Sequence, residues 1–243
     1  MARAAGVVYD RPANDDEEDG GAARPRPRRM SAEERVDDFV AEAAEFFAEA
    51  GFEGGTRELA RRLGVTQPLL YRYFPSKDDL IRAVYRRVFL DRWNPDWDDL
   101  LTDRSRPLRD RLEAFYGEYT ERIFTPEWIR IYLQAGLRGV DINRWYNRIV
   151  EEMILGRAIR EWRAETGGDP EAPVSRDDLE LLWTIHGGIF YYGIRKYIYR
   201  FDVQDDKAAM IRSALDMFFA VAPHRLASRA EAERKLEPEP TAE

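Results

Sequence analysis

Cysteine is absent from this sequence of 243 residues, and histidine occurs only twice, at His186 and His224. Without cysteine the chain can form neither a disulfide nor a thiolate metal site, and two histidines are too few for an all-histidine zinc cage. The composition therefore predicts a protein with no metal and no resident cofactor.

Long apolar runs are also missing. The sequence has no stretch of eighteen or more uncharged apolar residues, which argues against a membrane span. Its first ten residues lack a basic stub followed by an apolar run, so a secretion signal is not predicted. We therefore expect a cytoplasmic protein with no membrane partner.

The net charge is −8, but the charges are unevenly distributed along the chain. Residues 31–54 contain eight acidic residues and one basic residue, whereas residues 55–88 contain eight basic and three acidic ones. An acidic chain does not coat nucleic acid indiscriminately, because phosphate binding needs local positive potential. A short basic segment inside an acidic protein is the charge pattern expected of a DNA-reading element.

Composition divides the chain into four regions. Residues 1–30 and 228–243 are rich in proline and charge, and we predict that both are disordered tails. A second interpretation of the basic run at 24–29 stays open, in which it is an arm that touches phosphates or enters a minor groove. Between the tails we predict a small helical domain over 31–88 and a larger helical domain over 89–227.

Apolar residues recur at three- and four-residue spacing, which predicts helices. Ser31 with Glu34 has the pattern of a capping box, and Gly51 is expected to end the first helix. Three further N-caps are expected at Thr56, Thr66 and Ser76. Longer helices are predicted over residues 107–124, 126–137, 142–165, 177–199 and 205–222. No segment alternates with period two for long, so the predicted fold class is all-α.

Residues 56–74 have the pattern of a helix-turn-helix. Leu59 and Leu63 supply the inner face of a first helix, and Gly64 supplies the turn. In the second helix, Gln67 can pair with adenine, while threonine and tyrosine hydroxyls can bind phosphates and Lys77 adds a cation at the next helix. The positions predicted to be exposed are Thr66, Gln67, Pro68, Tyr71, Arg72 and Tyr73.

A family resemblance is carried by six short motifs in and around this segment. They are Gly51-Phe52, Thr56-Arg-Glu-Leu-Ala60, Leu63-Gly-Val65, Leu70-Tyr71, Tyr73-Phe-Pro-Ser-Lys77 and Asp79-Leu80. In order and spacing they resemble the DNA-binding domain of TetR-like (tetracycline-repressor-like) transcriptional regulators, over about residues 35–88. Two departures are Gly54-Gly55, where the family often has a threonine-containing pair, and the bulkier run Pro68-Leu69-Leu70.

The resemblance implies roles for individual side chains. Residues that match Thr56, Tyr71 and Lys77 commonly contact the DNA backbone in this family, and those that match Thr66 to Arg72 face the groove. The predicted DNA-binding set is Thr56, Arg57, Thr66, Gln67, Pro68, Leu69, Tyr71, Arg72, Tyr73 and Lys77.

For the larger domain the resemblance implies a homodimer formed by the last two helices, at about residues 177–222, and a site for a small-molecule effector. Residues 179–199 are apolar nearly all round, so we expect one face to pack internally and another to meet a partner. Large side chains with polar groups are the candidates for an effector pocket. They are Trp128, Tyr132, Trp145, Tyr146, Trp183, His186 and Tyr191, with Gln134, Trp162 and Tyr192 as further members.

The predicted function is a repressor that an effector releases from a pseudo-palindromic operator. An activator or nucleoid-type protein that needs no effector is the alternative within the DNA-binding class. An enzyme is not predicted: neither histidine follows a glutamate by three positions, as a di-iron bundle requires, and no phosphate-binding loop or nucleophile elbow is found.

Overall fold

The computed structural model describes residues 31–234, and every regular element in this range is helical, which confirms the all-α class. Three π-helical turns, Arg86–Leu90, Val150–Leu155 and Ile194–Ile198, each directly follow an α-helix. The predicted tail over 1–30 and residues 235–243 of the tail predicted over 228–243 lie outside the described range, whereas residues 228–234 belong to a helix, so the predicted tail boundary is wrong. The helices are α1 (Ala32–Ala50), α2 (Thr56–Arg62), α3 (Gln67–Tyr73), α4 (Lys77–Tyr85), α5 (Asp96–Thr102), α6 (Leu108–Arg122), α7 (Pro126–Leu137), α8 (Ile142–Ile149), α9 (Gly156–Thr166), α10 (Arg176–Gly193) and α11 (Lys207–Arg234).

Most of the predicted helix caps are confirmed. The hydroxyl of Ser31 accepts a hydrogen bond from the Glu34 backbone at 3.0 Å, and the Glu34 carboxylate accepts one from the Ser31 backbone at 2.7 Å. Ser76 begins α4 with the same reciprocal pattern, and the Thr66 hydroxyl accepts from the third residue of its helix. Each bond satisfies a backbone group that a helix end would otherwise leave unpaired.

The predicted cap at Thr56 is wrong. Gly55 occupies the N-cap position of α2 and provides no side-chain cap, while Thr56 is the first helical residue. Its hydroxyl is instead hydrogen-bonded to side chains of α3. The turn between these two helices contains Gly64 at φ +66°, a left-handed conformation that glycine adopts without steric cost.

Three helix bounds in the larger domain also differ from the predictions. A short helix, α5, was not predicted; it forms because Trp97 and Leu101 are buried one turn apart behind an acidic first turn. The predicted helix over 142–165 is interrupted by a π-helical turn. The final helix does not end at residue 222 but continues through Pro223 to Arg234, although a proline inside a helix removes one backbone hydrogen bond.

The larger domain contains a buried ion cluster beside its hydrophobic core. Arg111 is 1% exposed and donates to Glu161 at 2.9 Å, to Glu165 at 3.3 Å and to the Leu101 carbonyl at 2.5 Å. Arg104 approaches the same Glu161 with two hydrogen bonds of 3.0 Å. Burial acts to raise the pKa of Glu161, but the two arginines outweigh it and hold the pKa below its ordinary value.

The two parts of the chain meet where α1 packs against α7. Arg138, just after α7, forms an ion pair with Glu53 in the α1–α2 turn. Gly51 lies against α7 so closely that a Cβ there would be 3.0 Å from Gln134 Oε1. The end of α7 therefore contacts the backbone that leads directly into the helix-turn-helix.

Within residues 31–234, none of the helices has the length and apolar content that crossing a bilayer requires.

Candidate DNA-binding surface and effector pocket

The second helix of the helix-turn-helix, α3, packs on the core by one edge. Leu70 is 1% exposed and Phe74 is 6% exposed, whereas Tyr71 is 37% exposed, as predicted for Tyr71. Four members of the predicted DNA-binding set that lie on α3 or at its N-cap are exposed: Thr66, Pro68, Tyr71 and Arg72.

Two residues predicted to be exposed are half-buried instead. The ring of Tyr73 packs edge-on against Phe39 of α1, with ring centroids 5.4 Å apart, so it helps to hold α3 on α1. Gln67 is half-buried because its amide bonds to α2. Leu69 is half-buried as well.

A hydrogen-bonded triad joins α2 and α3 at this surface. The side-chain nitrogen of Gln67 donates to Thr56 Oγ1 at 2.9 Å, and Thr56 Oγ1 lies 3.0 Å from the hydroxyl of Tyr71. Gln67 and Tyr71 are four positions apart on α3 and therefore lie on the same helical face. The sequence motif predicts all three residues to bind DNA, but it does not predict the hydrogen bonds between them.

The arginines of α2 have different surroundings. Arg62 binds Glu42, Glu45 and Glu49 of α1, and its hydrogen bonds to Glu49 and Glu42 raise its pKa. Arg62 therefore ties α2 to α1. Arg57 is exposed at the start of α2, and the structure shows no ion pair for it within the described residues.

Lys77 lies at the start of α4, and its ammonium group points toward the α1–α2 turn. It donates to the Phe52 carbonyl and, at 3.3 Å, to the Gly54 carbonyl. An ammonium has three hydrogens, so these two bonds leave one for another acceptor. The ammonium group of Lys77 thus lies beside the helix-turn-helix and stabilises the turn between α1 and α2.

In the larger domain, Trp128, Tyr132 and Tyr146 come together in one aromatic cluster. Trp128 and Tyr132 stack with centroids 5.0 Å apart and planes 10° apart, and Tyr146 meets Trp128 edge-on at 5.1 Å. Trp128 is 2% exposed, and its indole nitrogen is buried with no hydrogen-bond partner. A buried donor of this kind is available to an acceptor atom on a bound molecule.

His186 belongs to a second cluster that adjoins the first. Its Nδ1 lies 3.4 Å from the Tyr116 hydroxyl, and Trp183 meets the imidazole edge-on at 5.6 Å. The clusters are joined by a 2.6 Å hydrogen bond between the hydroxyls of Tyr119 and Tyr146. Burial lowers the pKa of His186 to about 4 and raises that of Tyr146, so both are neutral at pH 7.

Two effector candidates lie apart from these clusters. Trp145 packs against Tyr85 of α4, with Arg82 5.1 Å above its ring, so it belongs to the junction between the two parts of the chain. Tyr191 is 50% exposed on α10 and contacts Tyr199.

Sequence reasoning missed five aromatic residues that build the clusters, although Tyr116 and Tyr119 stand at helical spacing on α6. The missed residues are Phe89, Tyr116, Tyr119, Phe124 and Phe190. Of the further candidates, Gln134 faces Gly51, and Tyr192 donates its hydroxyl to the Gln204 carbonyl at 2.8 Å. Trp162 is 8% exposed within the core.

A surface cleft of about 420 Å³ opens beside Trp183, whose indole nitrogen donates to Glu151 at 3.1 Å. Three arginines contribute to its walls. The cleft is lined by Arg144, Asn147, Arg148, Glu151, Arg176 and Trp183.

A basic helix-turn-helix joined to a larger helical unit with an aromatic interior defines a class of helical DNA-binding protein. Residues 39–84 match the family model of bacterial regulatory proteins of the tetR family. The chain is 35% identical over 95 residues to the HTH-type transcriptional activator FasR of Mycolicibacterium smegmatis. This alignment covers 37% of this chain and 43% of that protein. The chain is also 35% identical over 81 residues to the tetracycline repressor protein class A from transposon 1721 of Escherichia coli, covering 30% and 38% respectively.

The chain thus spans less than half the length of each of these two relatives. Two solved structures share the fold over most of the chain. A TetR-family transcriptional regulator from Pseudomonas syringae pv. tomato has a TM-score of 0.54 and 16% identity, covering 79% of this chain and 97% of that one. A TetR-family protein from Mesorhizobium loti has a TM-score of 0.55 and 15% identity, covering 79% and 98%. Together these matches confirm the resemblance to the TetR-like family of transcriptional regulators.

Proposed function

We propose that this protein is a DNA-binding transcriptional regulator, and more specifically a repressor that a small-molecule effector releases from a pseudo-palindromic operator. The observation that carries the proposal is the exposed face of α3, with Thr66, Tyr71 and Arg72, inside the segment that matches the family model. In a helix-turn-helix the second helix lies in the major groove, and its N-terminal side chains contact base edges. The proposed role is regulatory and not enzymatic, and it places the protein with the chromosome in the cytoplasm.

A homodimer formed by α10 and α11 would present two such helices to the DNA. Support comes from exposed apolar side chains on these helices: Tyr191 is 50% exposed, Met217 60% and Val221 42%. At Gly187 and Gly188, a Cβ would meet no atom within 4 Å, so a partner helix has room to approach closely. A two-fold dimer uses the same patch on both copies, which suits helices that are apolar on an outward face.

For the effector we propose an uncharged aromatic molecule that carries a hydrogen-bond acceptor. The site would be the cluster of Trp128, Tyr132 and Tyr146, where the unpartnered indole nitrogen of Trp128 can donate to the acceptor. Entry of a ligand requires these rings to separate, and α7 carries two of them. Movement of α7 would reach Gly51 and Glu53 through Gln134 and Arg138.

An effector that favours the wrong separation of the two recognition helices lowers DNA affinity. By linkage, operator DNA then lowers effector affinity by the same factor.

The test is binding of the purified protein to the DNA upstream of its own gene at several salt concentrations, with a random duplex of equal length as control. The proposal expects saturable binding to the upstream DNA that survives at salt concentrations where the random duplex is released. Equal weak binding to both duplexes would contradict it. A panel of uncharged aromatic compounds, each with one carbonyl acceptor, then serves to find ligands that lower DNA affinity.

Activation of transcription is the second candidate, and the match to a protein named as a transcriptional activator favours it. Transcription in vitro from the bound promoter separates the two. A repressor lowers transcript yield, and a ligand from the panel restores it. An activator raises the yield.

A further inference from the structure

We infer that Thr56 is a positioning residue for base recognition, because its hydroxyl fixes the side-chain amide of Gln67 in the orientation that pairs with adenine. The inference rests on the proposed function, since it requires α3 to lie in a major groove. Its basis is the triad in which Gln67 Nε2 donates to Thr56 Oγ1 at 2.9 Å and Tyr71 OH lies 3.0 Å from the same oxygen.

The donor count decides which way the amide faces. A hydroxyl has one hydrogen, so Thr56 and Tyr71 have two between them, and their mutual hydrogen bond uses one. When Tyr71 gives its hydrogen to a DNA phosphate, it can only accept from Thr56. Thr56 Oγ1 then has no hydrogen left for Gln67 and can only accept. Gln67 must therefore present its nitrogen, not its oxygen, to Thr56.

The edge that Gln67 leaves free matches one base. When the N–H that points at Thr56 is the one directed away from the carbonyl oxygen, the amide keeps the N–H beside that oxygen, and this N–H and the oxygen form an adjacent donor and acceptor. In the major groove, adenine offers the N7 acceptor beside the N6 donor, whereas guanine offers two acceptors. A flipped or freely rotating amide would lose part of this discrimination.

The triad also links two kinds of contact that are usually treated as separate. Contacts to phosphate position a protein on DNA, and contacts to base edges specify the sequence. In this arrangement a phosphate contact by Tyr71 would set the direction of the hydrogen bonds that end at Gln67. Because Gln67 is half-buried and already bonded, its ordering cost is met before DNA binds.

The experiment begins with selection of binding sites from a duplex pool with a randomised centre, using the full-length protein. The Gln67→Ala variant identifies the operator position at which the adenine preference depends on this side chain. Dissociation constants are then measured for duplexes with adenine or guanine at that position. The preference of the native protein is expected to be roughly 5- to 150-fold, the range for a bidentate side-chain–base pair.

Thr56→Val removes the hydroxyl and keeps the side-chain shape. It is expected to lower the adenine-to-guanine preference by about three- to tenfold, and Thr56→Ser is expected to restore it, since a bidentate pair depends on amide orientation. In a Gln67→Ala background, Thr56→Val should change the preference no further. Tyr71→Phe, which frees the Thr56 hydrogen, is expected to lower the preference as well.

A purely phosphate-binding Thr56 gives a different result. Thr56→Val and Tyr71→Phe would then weaken adenine and guanine duplexes equally, and this outcome overturns the inference. The inference is also overturned if Gln67→Ala changes the base preference at no position of the selected sites. A native protein that enriches no sequence overturns the proposed function itself, which is a distinguishable failure. Tyr71→Phe also keeps the test decisive if Thr56→Val does not fold.

Discussion

The DNA-binding part of the chain and the larger helical part use polar groups in opposite ways. At the helix-turn-helix, the hydroxyls of Thr56 and Tyr71 and the guanidinium of Arg72 lie at or near the surface and are open to a ligand as large as a duplex. In the larger part, His186 and Arg111 are buried, and their polar groups are bonded to other side chains of this part, His186 to Tyr116 and Arg111 to Glu161. Changes in the first region should therefore affect DNA binding, and changes in the second should affect stability.

The largest effect is expected from Arg111→Met. This change leaves Glu161 as a buried carboxylate that keeps only Arg104, and breaking a buried ion pair costs about 3–5 kcal/mol of the free energy of unfolding. Arg104→Met is the matched control, because it removes the exposed partner of the same carboxylate and should cost far less. Urea denaturation of the two variants measures both values. If both variants lost the same free energy of unfolding, the burial of Arg111 would not explain how much this residue contributes to stability.

A pH-dependent loss of stability is expected from His186. Burial lowers its pKa to about 4, whereas the unfolded chain has the ordinary value of 6.5. Between these values the unfolded state binds the proton and the folded state does not, so stability falls as the pH is lowered from 6.5 to 4. At 1.36 kcal/mol per pKa unit, the loss attributable to His186 approaches about 3 kcal/mol.

Denaturation at several pH values tests this expectation. The native protein should lose more stability across the window than His186→Gln does. The same pH dependence in His186→Gln and the native protein would contradict the assignment.

Hydrogen bonds within a helix end and hydrogen bonds between distant helices differ in how far the sequence predicts them. The caps at Ser31, Thr66 and Ser76 were predictable because each involves a residue only three positions away. The bond between Tyr116 and His186 joins residues 70 positions apart, and no local pattern encodes it.

The candidate sites show the same division. The helix-turn-helix was identifiable because its motif is contiguous, but Gln67 and Tyr73 are less exposed than predicted, since neighbouring helices cover them. In the larger part, helical spacing shows that an aromatic residue has a buried face but not which helix it meets. Trp145 and Tyr191 were accordingly grouped with clusters that they do not join.

A smaller effect is expected from Tyr146→Phe, which removes one hydroxyl of the bond that joins the two aromatic clusters. The Tyr119 hydroxyl is left buried without this partner, at a cost of about 1–3 kcal/mol. Tyr191→Phe is the control. Because Tyr191 is half-exposed, removing its hydroxyl should cost almost no stability. Thermal denaturation compares them. A neutral Tyr146→Phe would indicate that a water or another group replaces the lost partner.

The smallest effect is expected from Lys77→Ala in the DNA-binding part. Two of its hydrogens are directed to the Phe52 and Gly54 carbonyls, which leaves one for a phosphate. Loss of one phosphate contact should weaken binding to all sequences alike and reduce the slope of log affinity against log salt by about one. Arg160→Ala removes a cation from α9, outside the DNA-binding domain, and should leave the slope unchanged. An unchanged slope in Lys77→Ala would exclude Lys77 from the phosphate contacts.

We expect two copies of the helix-turn-helix to read one duplex together. Hydroxyl-radical footprinting on a duplex selected by the native protein tests it most directly. The expected result is two protected half-sites related by two-fold symmetry, with centres about one helical turn, roughly 10 base pairs, apart. A single asymmetric footprint, or uniform protection without discrete half-sites, would contradict it.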